Sequence, residues 1–282
     1  MIFWIASYPK SGNTWLRSLL TSYYFSENGI FNQNLLKNIG QFPEKKHFVK
    51  FKYNPKIITD TSRFWIKSQE ELNKDNKLKF FKTHNVLGAI NNNYFTDKKN
   101  TLGAIYVVRD PRNIVTSLQN HYELSIEDAL NFMLNEKKFI YDFHKVNDYG
   151  DFQFISSWEK NYQSWLKQNV FPIKVIKYED LYNETFKVLK ETIKFIEIKS
   201  GNKRTFNVKK AKNSVKSTTF ENLKKIEKKE GFLESVLSKK NINKVPFFHL
   251  GPKNNWKNIY NLGYQKKLFS LFKNNLKELN YI

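Results

Sequence analysis

Four short strand-like segments, two of them unbroken apolar runs, divide this chain, and each is followed by a segment of a different period. The first, Ile2-Phe3-Trp4-Ile5-Ala6, predicts a buried strand over 2–7, and the pattern after Thr14 predicts a helix over 14–26. A second strand is expected over 78–83, a third over 101–108 and a fourth over 172–177. The third, Leu102-Gly103-Ala104-Ile105-Tyr106-Val107-Val108, is apolar throughout, as in a strand covered on both faces. Helices are expected over 111–122, with Pro111 at its opening, and over 126–145, with Ser125 as its cap. Further helices are expected over 152–169, near 179–197 and over 261–279. Residues 28–75 read as short helices and loops, and 199–230 as a polar segment.

Strands alternating with helices imply parallel crossovers, so the expected fold class is α/β. It is a single domain over 1–282, with a central parallel β-sheet flanked by helices. Ligands of such sheets bind beyond the carboxyl ends of the strands. The segments that follow the four strands should therefore meet.

Composition narrows the chemistry. With no cysteine, disulfides, thiolate metal sites and cysteine nucleophiles are excluded. No apolar stretch reaches the roughly 20 residues that span a bilayer, and the N-terminus lacks a basic leader, so a cytoplasmic protein without a membrane span is expected. The net charge of +22 comes almost wholly from scattered lysine among Asn, Ile, Phe and Tyr, with no nucleic-acid motif. No nucleic-acid partner is expected from it. Arginine is scarce: Arg17, Arg63, Arg109, Arg112 and Arg204 are the only ones. In so lysine-rich a chain they mark places that need a planar, bidentate donor.

The first strand ends in Tyr8-Pro9-Lys10-Ser11-Gly12-Asn13-Thr14-Trp15. A P-loop-like strand, tight turn and helix N-terminus point free backbone N–H groups and a positive helix end at one spot, a cradle for a phosphate-like anion. The nucleoside-triphosphatase form is absent, because Lys10 precedes the glycine and no Gly-Lys-Ser/Thr follows. The second strand ends in Lys82-Thr83-His84, the third in Arg109-Asp110-Pro111-Arg112 with Ser117 one turn on, and the fourth in Tyr178-Glu179-Asp180. Alone, each has a plain reading: a structural histidine, a salt bridge or helix cap, an acidic helix start. Together at one sheet edge, the lysines, arginines, hydroxyls and histidine suit a doubly anionic ligand beside a proton acceptor.

These segments, in this order, resemble the cytosolic-type sulfotransferases that use 3′-phosphoadenosine-5′-phosphosulfate (PAPS). The Tyr8–Trp15 run is similar to their 5′-phosphosulfate loop, and the run from Tyr106 to Ser117 to their 3′-phosphate segment. Thr218-Thr219-Phe220 resembles a further cofactor segment, and Phe248 to Asn258 their C-terminal signature around Gly251. The resemblance implies sulfuryl transfer to a hydroxyl or amine, with adenosine 3′,5′-bisphosphate (PAP) as product and no metal. It implies His84 as base, Lys10 at the leaving oxygen and Lys82 at the sulfuryl oxygens. Ser11, Gly12, Asn13 and Thr14 would hold the 5′-phosphate, and Arg109 and Ser117 the 3′-phosphate. Trp15 and Phe220 would sandwich the adenine, with Tyr178 at its edge. The signature departs from the family pattern: His249 and Leu250 stand where Arg-Lys is usual, and Asn254-Asn255 where Gly-Asp is. Lys253 and Lys257 are the candidates to compensate, and Gly251 is the carry-over kept.

Two other readings are a P-loop nucleotide kinase, which would need Mg²⁺-ATP, and a non-catalytic PAP-binding protein, which would need no base. The acceptor is a small molecule, lipid or glycan, and the oligomeric state is open. Phe31, Phe42, Phe64, Trp65, Tyr94, Phe95 and Phe232 are read mainly as core rather than as acceptor lining.

Overall fold

A computed structural model describes residues 1–141, 148–202, 204–240 and 242–282. Its sheet contains the four expected strands and one more: β1 (Ile2–Ser7), β2 (Gly40–Gln41), β3 (Lys79–Thr83), β4 (Thr101–Val108) and β5 (Ile173–Lys177). The order is β2–β3–β1–β4–β5, and every pairing is parallel. With two residues, β2 is too short to leave a periodic signal.

Alternation along the central strands builds two cores. Ile2, Trp4 and Ala6 of β1 join one cluster while Phe3 and Ile5 join the other; Tyr106 and Ile105 of β4 divide in the same way. Burial on both faces explains why these strands read as unbroken apolar runs.

The helices are α1 (Asn13–Phe25), α2 (Trp65–Asn73), α3 (Pro111–Tyr122), α4 (Ile126–Leu134), α5 (Trp158–Leu166) and α6 (Tyr178–Asn183). They continue with α7 (Thr185–Ser200), α8 (Val208–Ser217), α9 (Phe220–Glu230), α10 (Trp256–Ile259) and α11 (Leu262–Glu278). Residues of α3, α4, α5 and α11 cover the first face, and those of α1, α7 and α8 the second. No helix among the described residues is long and apolar enough to cross a membrane.

Several boundaries differ from the sequence reading, each for a local reason. The helix expected over 126–145 stops at Leu134, where Asn135 turns to extended backbone; Phe139–Ile140 then pairs with Gln153–Phe154. The rest of that expected helix, 142–147, lies outside the described residues. The helix expected over 152–169 starts at Trp158, where Ser157 accepts from the Lys160 N–H. The helix near 179–197 is divided at Glu184, whose backbone leaves helical geometry. The polar segment 199–230 holds α8 and α9, which bury only Ala211 and Ser214 in one case and Leu223 in the other. Both are poor in apolar residues overall, which is why the segment reads as polar.

Candidate active site

Register sets the site. Ala6 of β1 lies beside Thr83 of β3 and Tyr106 of β4, and Val108 beside Lys177 of β5. The four strands therefore end nearly level, and the segments after them border one cleft of about 1210 Å³. Lys10, Gly12, Asn13, Thr14, Trp15, Lys82, His84, Arg109, Ser117, Tyr178, Phe220 and Gly251 all line it. Ser11 is buried just behind, at 1% exposure.

The β1–α1 turn is strained in the way anion loops require. Lys10 has φ 66° and Gly12 φ 102°, both left-handed; for a lysine this costs about 1–2 kcal/mol. A Cβ on Gly12 would lie 2.5 Å from Cδ2 of Tyr178, so the glycine answers both a conformation and a close approach. Arg109 donates from Nη1 to the Lys10 carbonyl at 3.0 Å and to Ser117 Oγ at 3.2 Å, tying the turn to the end of β4. Its guanidinium lies 4.1 Å from the centroid of the Tyr178 ring, which meets Trp15 edge-on at 5.8 Å.

Several buried donors in and beside this turn have no hydrogen-bond partner among the described residues: Lys10 Nζ, Ser11 Oγ, Trp15 Nε1 and Arg109 Nε. Unpaired buried donors are costly, so their clustering is what a site for a large, multiply anionic ligand requires. Lys10 Nζ lies over the Phe247 ring, 3.9 Å from its centroid. Burial, reinforced by Arg109 and Lys82 and opposed by Glu234, lowers its pKa to about 7.

His84 is oriented by its neighbours. Its Nδ1 lies 2.7 Å from the Ser7 carbonyl, which can only accept, so Nδ1 carries the proton and Nε2 holds the free lone pair. Gln153 accepts from the His84 N–H at 2.7 Å, and Asn161 donates to its carbonyl at 2.9 Å. Burial and the Lys82 charge lower its pKa to about 3, so the imidazole is neutral at ordinary pH.

Not every expected residue points where the sequence suggested. The Asn13 amide turns back to the Ile5 carbonyl at 2.9 Å, which leaves the loop its N–H rather than its side chain. Arg112 pairs with Asp110 at 2.7 Å and lies over Trp256 at 4.3 Å, stapling the start of α3. Asp110 caps that helix through the Arg112 N–H at 2.9 Å. Lys253 and Lys257 are exposed and do not line the cleft, whereas His249 and Leu250 do. None of the seven aromatics named above borders the cleft; Phe42, Trp65 and Phe95 are buried in the first core, Phe31 and Phe232 in a smaller cluster with Leu223 and Phe248, and Tyr94 is 66% exposed.

Three further residues shape the site: Glu234 carried no sequence signal, Arg17 stood out only by the scarcity of arginine, and Asn254 only as a departure from the family signature. Asn254 donates to Ser117 Oγ at 3.0 Å and to the Asn113 carbonyl at 2.9 Å, pinning the C-terminal signature beside Arg109. Glu234 accepts from Thr14 Oγ1 at 2.6 Å, Arg17 Nη1 at 2.5 Å and Lys82 Nζ at 2.9 Å. Arg17 also donates to the Ile39 carbonyl, at 2.7 Å from Nη2.

A family model, the sulfotransferase domain, matches residues 2–280. The chain belongs to that family. It is similar to sulfotransferase 1B1 of Mus musculus, with 21% identity over 272 residues, 95% of this chain and 80% of that protein. Its fold is similar to that of a mouse sulfotransferase crystallised with PAP, at 19% identity and a TM-score of 0.57, covering 98% of this chain and 83% of the other. Retinol dehydratase, in a complex with androsterone and PAP, is similar at 16% identity and a TM-score of 0.55, covering 98% and 80%. The sulfotransferase fold thus accounts for the whole sheet and both helical layers.

Proposed function

We propose that this sulfotransferase moves the sulfuryl group of PAPS to a hydroxyl or amine of a small acceptor. The observation that carries this reading is the set of unpartnered buried donors of Lys10, Ser11, Trp15 and Arg109, gathered beside an imidazole whose Nε2 is free. PAP in two proteins of similar fold supports the same ligand here.

PAPS supplies the sulfuryl group: its bridging S–O bond breaks as the acceptor oxygen or nitrogen bonds to sulfur, and PAP leaves. Everything else falls to the chain. His84 takes the acceptor's proton at Nε2, while Ser7 holds Nδ1–H and fixes the ring. Lys10 offers its ammonium to charge developing on the leaving oxygen, and Lys82 to the sulfuryl oxygens. The N–H groups of residues 11–14 and the hydroxyls of Ser11 and Thr14 bind the 5′-phosphate at the start of α1. Arg109 and Ser117, held by Asn254, bind the 3′-phosphate. Trp15 and Phe220 flank the adenine; a Cβ on Gly251 would run into the Phe220 ring.

The acceptor would approach His84 past Gln153, which accepts from its N–H, in a cleft that Gln41, Leu233 and Leu237 also line. This mixed wall suits a small molecule, a lipid headgroup or the end of a glycan.

The test is transfer of label from ³⁵S-PAPS across a panel of phenols, amines, sugars and lipids, with calorimetric titration of PAP alongside. Binding of PAP with transfer to one class is expected. Indifference to PAP at millimolar concentration would overturn the reading.

A further inference from the structure

Glu234 sits in a cradle the mechanism needs for something else. Its two carboxylate oxygens use the Thr14 hydroxyl on one side and Arg17 with Lys82 on the other. A threonine hydroxyl has one proton to donate. Thr14 therefore cannot serve Glu234 and a 5′-phosphate at once, and Lys82 would have to hold two anions within hydrogen-bond reach.

The charge balance points the same way. Arg17 and Lys82 both bond Glu234 and Lys10 lies close by without a bond to it, so this spot gathers more cationic groups than one carboxylate pairs. Lys10 Nζ finds no hydrogen-bond partner even with Glu234 nearby. A single carboxylate thus only partly satisfies a cradle shaped for a larger anion. Burial pushes the Glu234 pKa up, yet Lys82, Arg17 and the Thr14 hydroxyl outweigh it and hold the group ionised.

Glu234 is also borne by a segment suited to release it. After α9 the chain runs from Gly231 to Leu250 without a helix or a named strand among its described residues, joined by a lone bridge between Leu237 and Lys244. Leu233 and Leu237 on either side are 57% and 60% exposed. The backbone bonds Ser235–Phe232, Ser238–Asn243 and Val245–Val236 are local to this stretch, which Glu123 and Glu227 anchor at Lys239 and Phe247, whereas Thr14, Arg17 and Lys82 stand on α1 and β3.

We infer that Glu234 is an internal anion that occupies the phosphosulfate cradle of the nucleotide-free protein and gives up Thr14 and Lys82 when nucleotide binds. This rests on the PAPS reading above. Arg17 then becomes a further donor-side cation, freed on Nη1 while its other nitrogens stay on the carbonyls of Leu36 and Ile39.

The experiment is calorimetric titration of PAP into the wild-type protein and Glu234→Gln. Removing a competitor raises the fraction of binding-competent protein, so the variant should bind PAP about tenfold more tightly or better. Its melting temperature without nucleotide should fall, and saturating PAP should abolish the difference. Equal or weaker binding by Glu234→Gln would mean a structural counter-ion and overturn the inference, while the PAPS reading stands on the wild-type affinity. Absence of PAP binding by both proteins overturns both. Should Glu234→Gln not fold, a crystal structure of the wild-type chain with PAP decides. Glu234 beyond hydrogen-bond distance of Thr14 Oγ1 is expected, and retention of that bond sinks the proposal.

Discussion

The strand ends and the 231–250 segment face each other across one cleft, and they are built on opposite principles. At the strand ends the functional groups are over-determined: Arg109 is tied to the Lys10 carbonyl and Ser117, His84 to Ser7, and Gly12 is wedged against Tyr178. Their backbones belong to a sheet buried on both faces. The opposing segment offers a carboxylate, an aromatic face at Phe247 and exposed leucines, on a chain that has almost no ladder. Fixed positive charge on one side and adjustable negative charge on the other is an arrangement for exchanging anions. Pre-organised donors give transition-state stabilisation without reorganisation, and a mobile counter-charge limits the cost of leaving them empty.

If that contrast is right, substitutions at the reacting end of the rigid side should strike the chemical step, and those at its nucleotide end or on the opposing segment should strike affinity. The largest effect is expected for His84→Ala, with kcat lower by roughly 10²–10⁴ and PAP affinity unchanged. Lys10→Met should lower kcat by about 10²–10³ through the lost charge at the leaving oxygen. Both are read from single-turnover transfer with PAP titration in parallel. Near wild-type kcat in His84→Ala would move the base elsewhere and dissolve the division.

Next comes the nucleotide end of the rigid side. Arg109→Met removes charge-assisted hydrogen bonds worth about 1.5–3 kcal/mol, or roughly 10–150-fold in affinity. The loss should fall on PAP and spare 5′-AMP, which has no 3′-phosphate. Arg109→Lys should recover only part, because an ammonium has no second planar edge to offer the 3′-phosphate while one nitrogen holds Lys10 and Ser117. An equal loss for both nucleotides would show that Arg109 acts by holding the loop. Gly12→Ala, forced to keep φ 102° against the Tyr178 ring, should cost about 1–3 kcal/mol of stability in thermal melts.

The same division decides what could be read from the chain. Strand ends announce themselves: an unbroken apolar run, then Pro9 and Gly12, or Asp110-Pro111 opening a helix, is local information. The sheet class and the convergence of Lys10, His84 and Arg109 followed from that. Glu234 had no such signal, since it reaches Thr14 across 220 positions from a polar stretch without period. Asn254 stands where the chain departs from the family pattern, yet it bonds Ser117 and Asn113, a compensation visible only in three dimensions. The scarcity of arginine marked Arg112 as a planar, bidentate donor, and its acceptor is Asp110, two residues away.

A smaller effect should appear in stability against pH. His47, His84 and His121 are held neutral mainly by burial, with pKa values lowered to about 4, 3 and 3. In the unfolded chain they titrate near 6.5, so from there down toward 3–4 the unfolded state binds more protons. Stability is therefore lost as pH falls below about 6.5, by up to about 1.4 kcal/mol per pH unit for each histidine. Thermal melts between pH 7 and 5 check the sign. His121→Asn should flatten the slope by one share, and an unchanged slope would mean that His121 is not buried against Phe247.

The finest probe is the proton on Lys10. Burial, Arg109 and Lys82 lower its pKa to about 7, so at pH 8 most of the nucleotide-free protein carries a neutral amine there. An anion held against Nζ favours the ammonium, raising the pKa on binding, and the complex must then take up as much as about one proton at pH 8. Near pH 5.5 Lys10 is already charged and its uptake vanishes. PAP titrations at pH 8 in Tris and in phosphate buffer, whose ionisation heats differ widely, read the number directly. Lys82 is also lowered by burial, and Lys10→Met separates the two because only the Lys10 share disappears with it. Equal binding heats in the two buffers would mean that Lys10 is charged before nucleotide arrives. The rigid side of the cleft would then be a fully charged cradle from the start, and Glu234 its only relief.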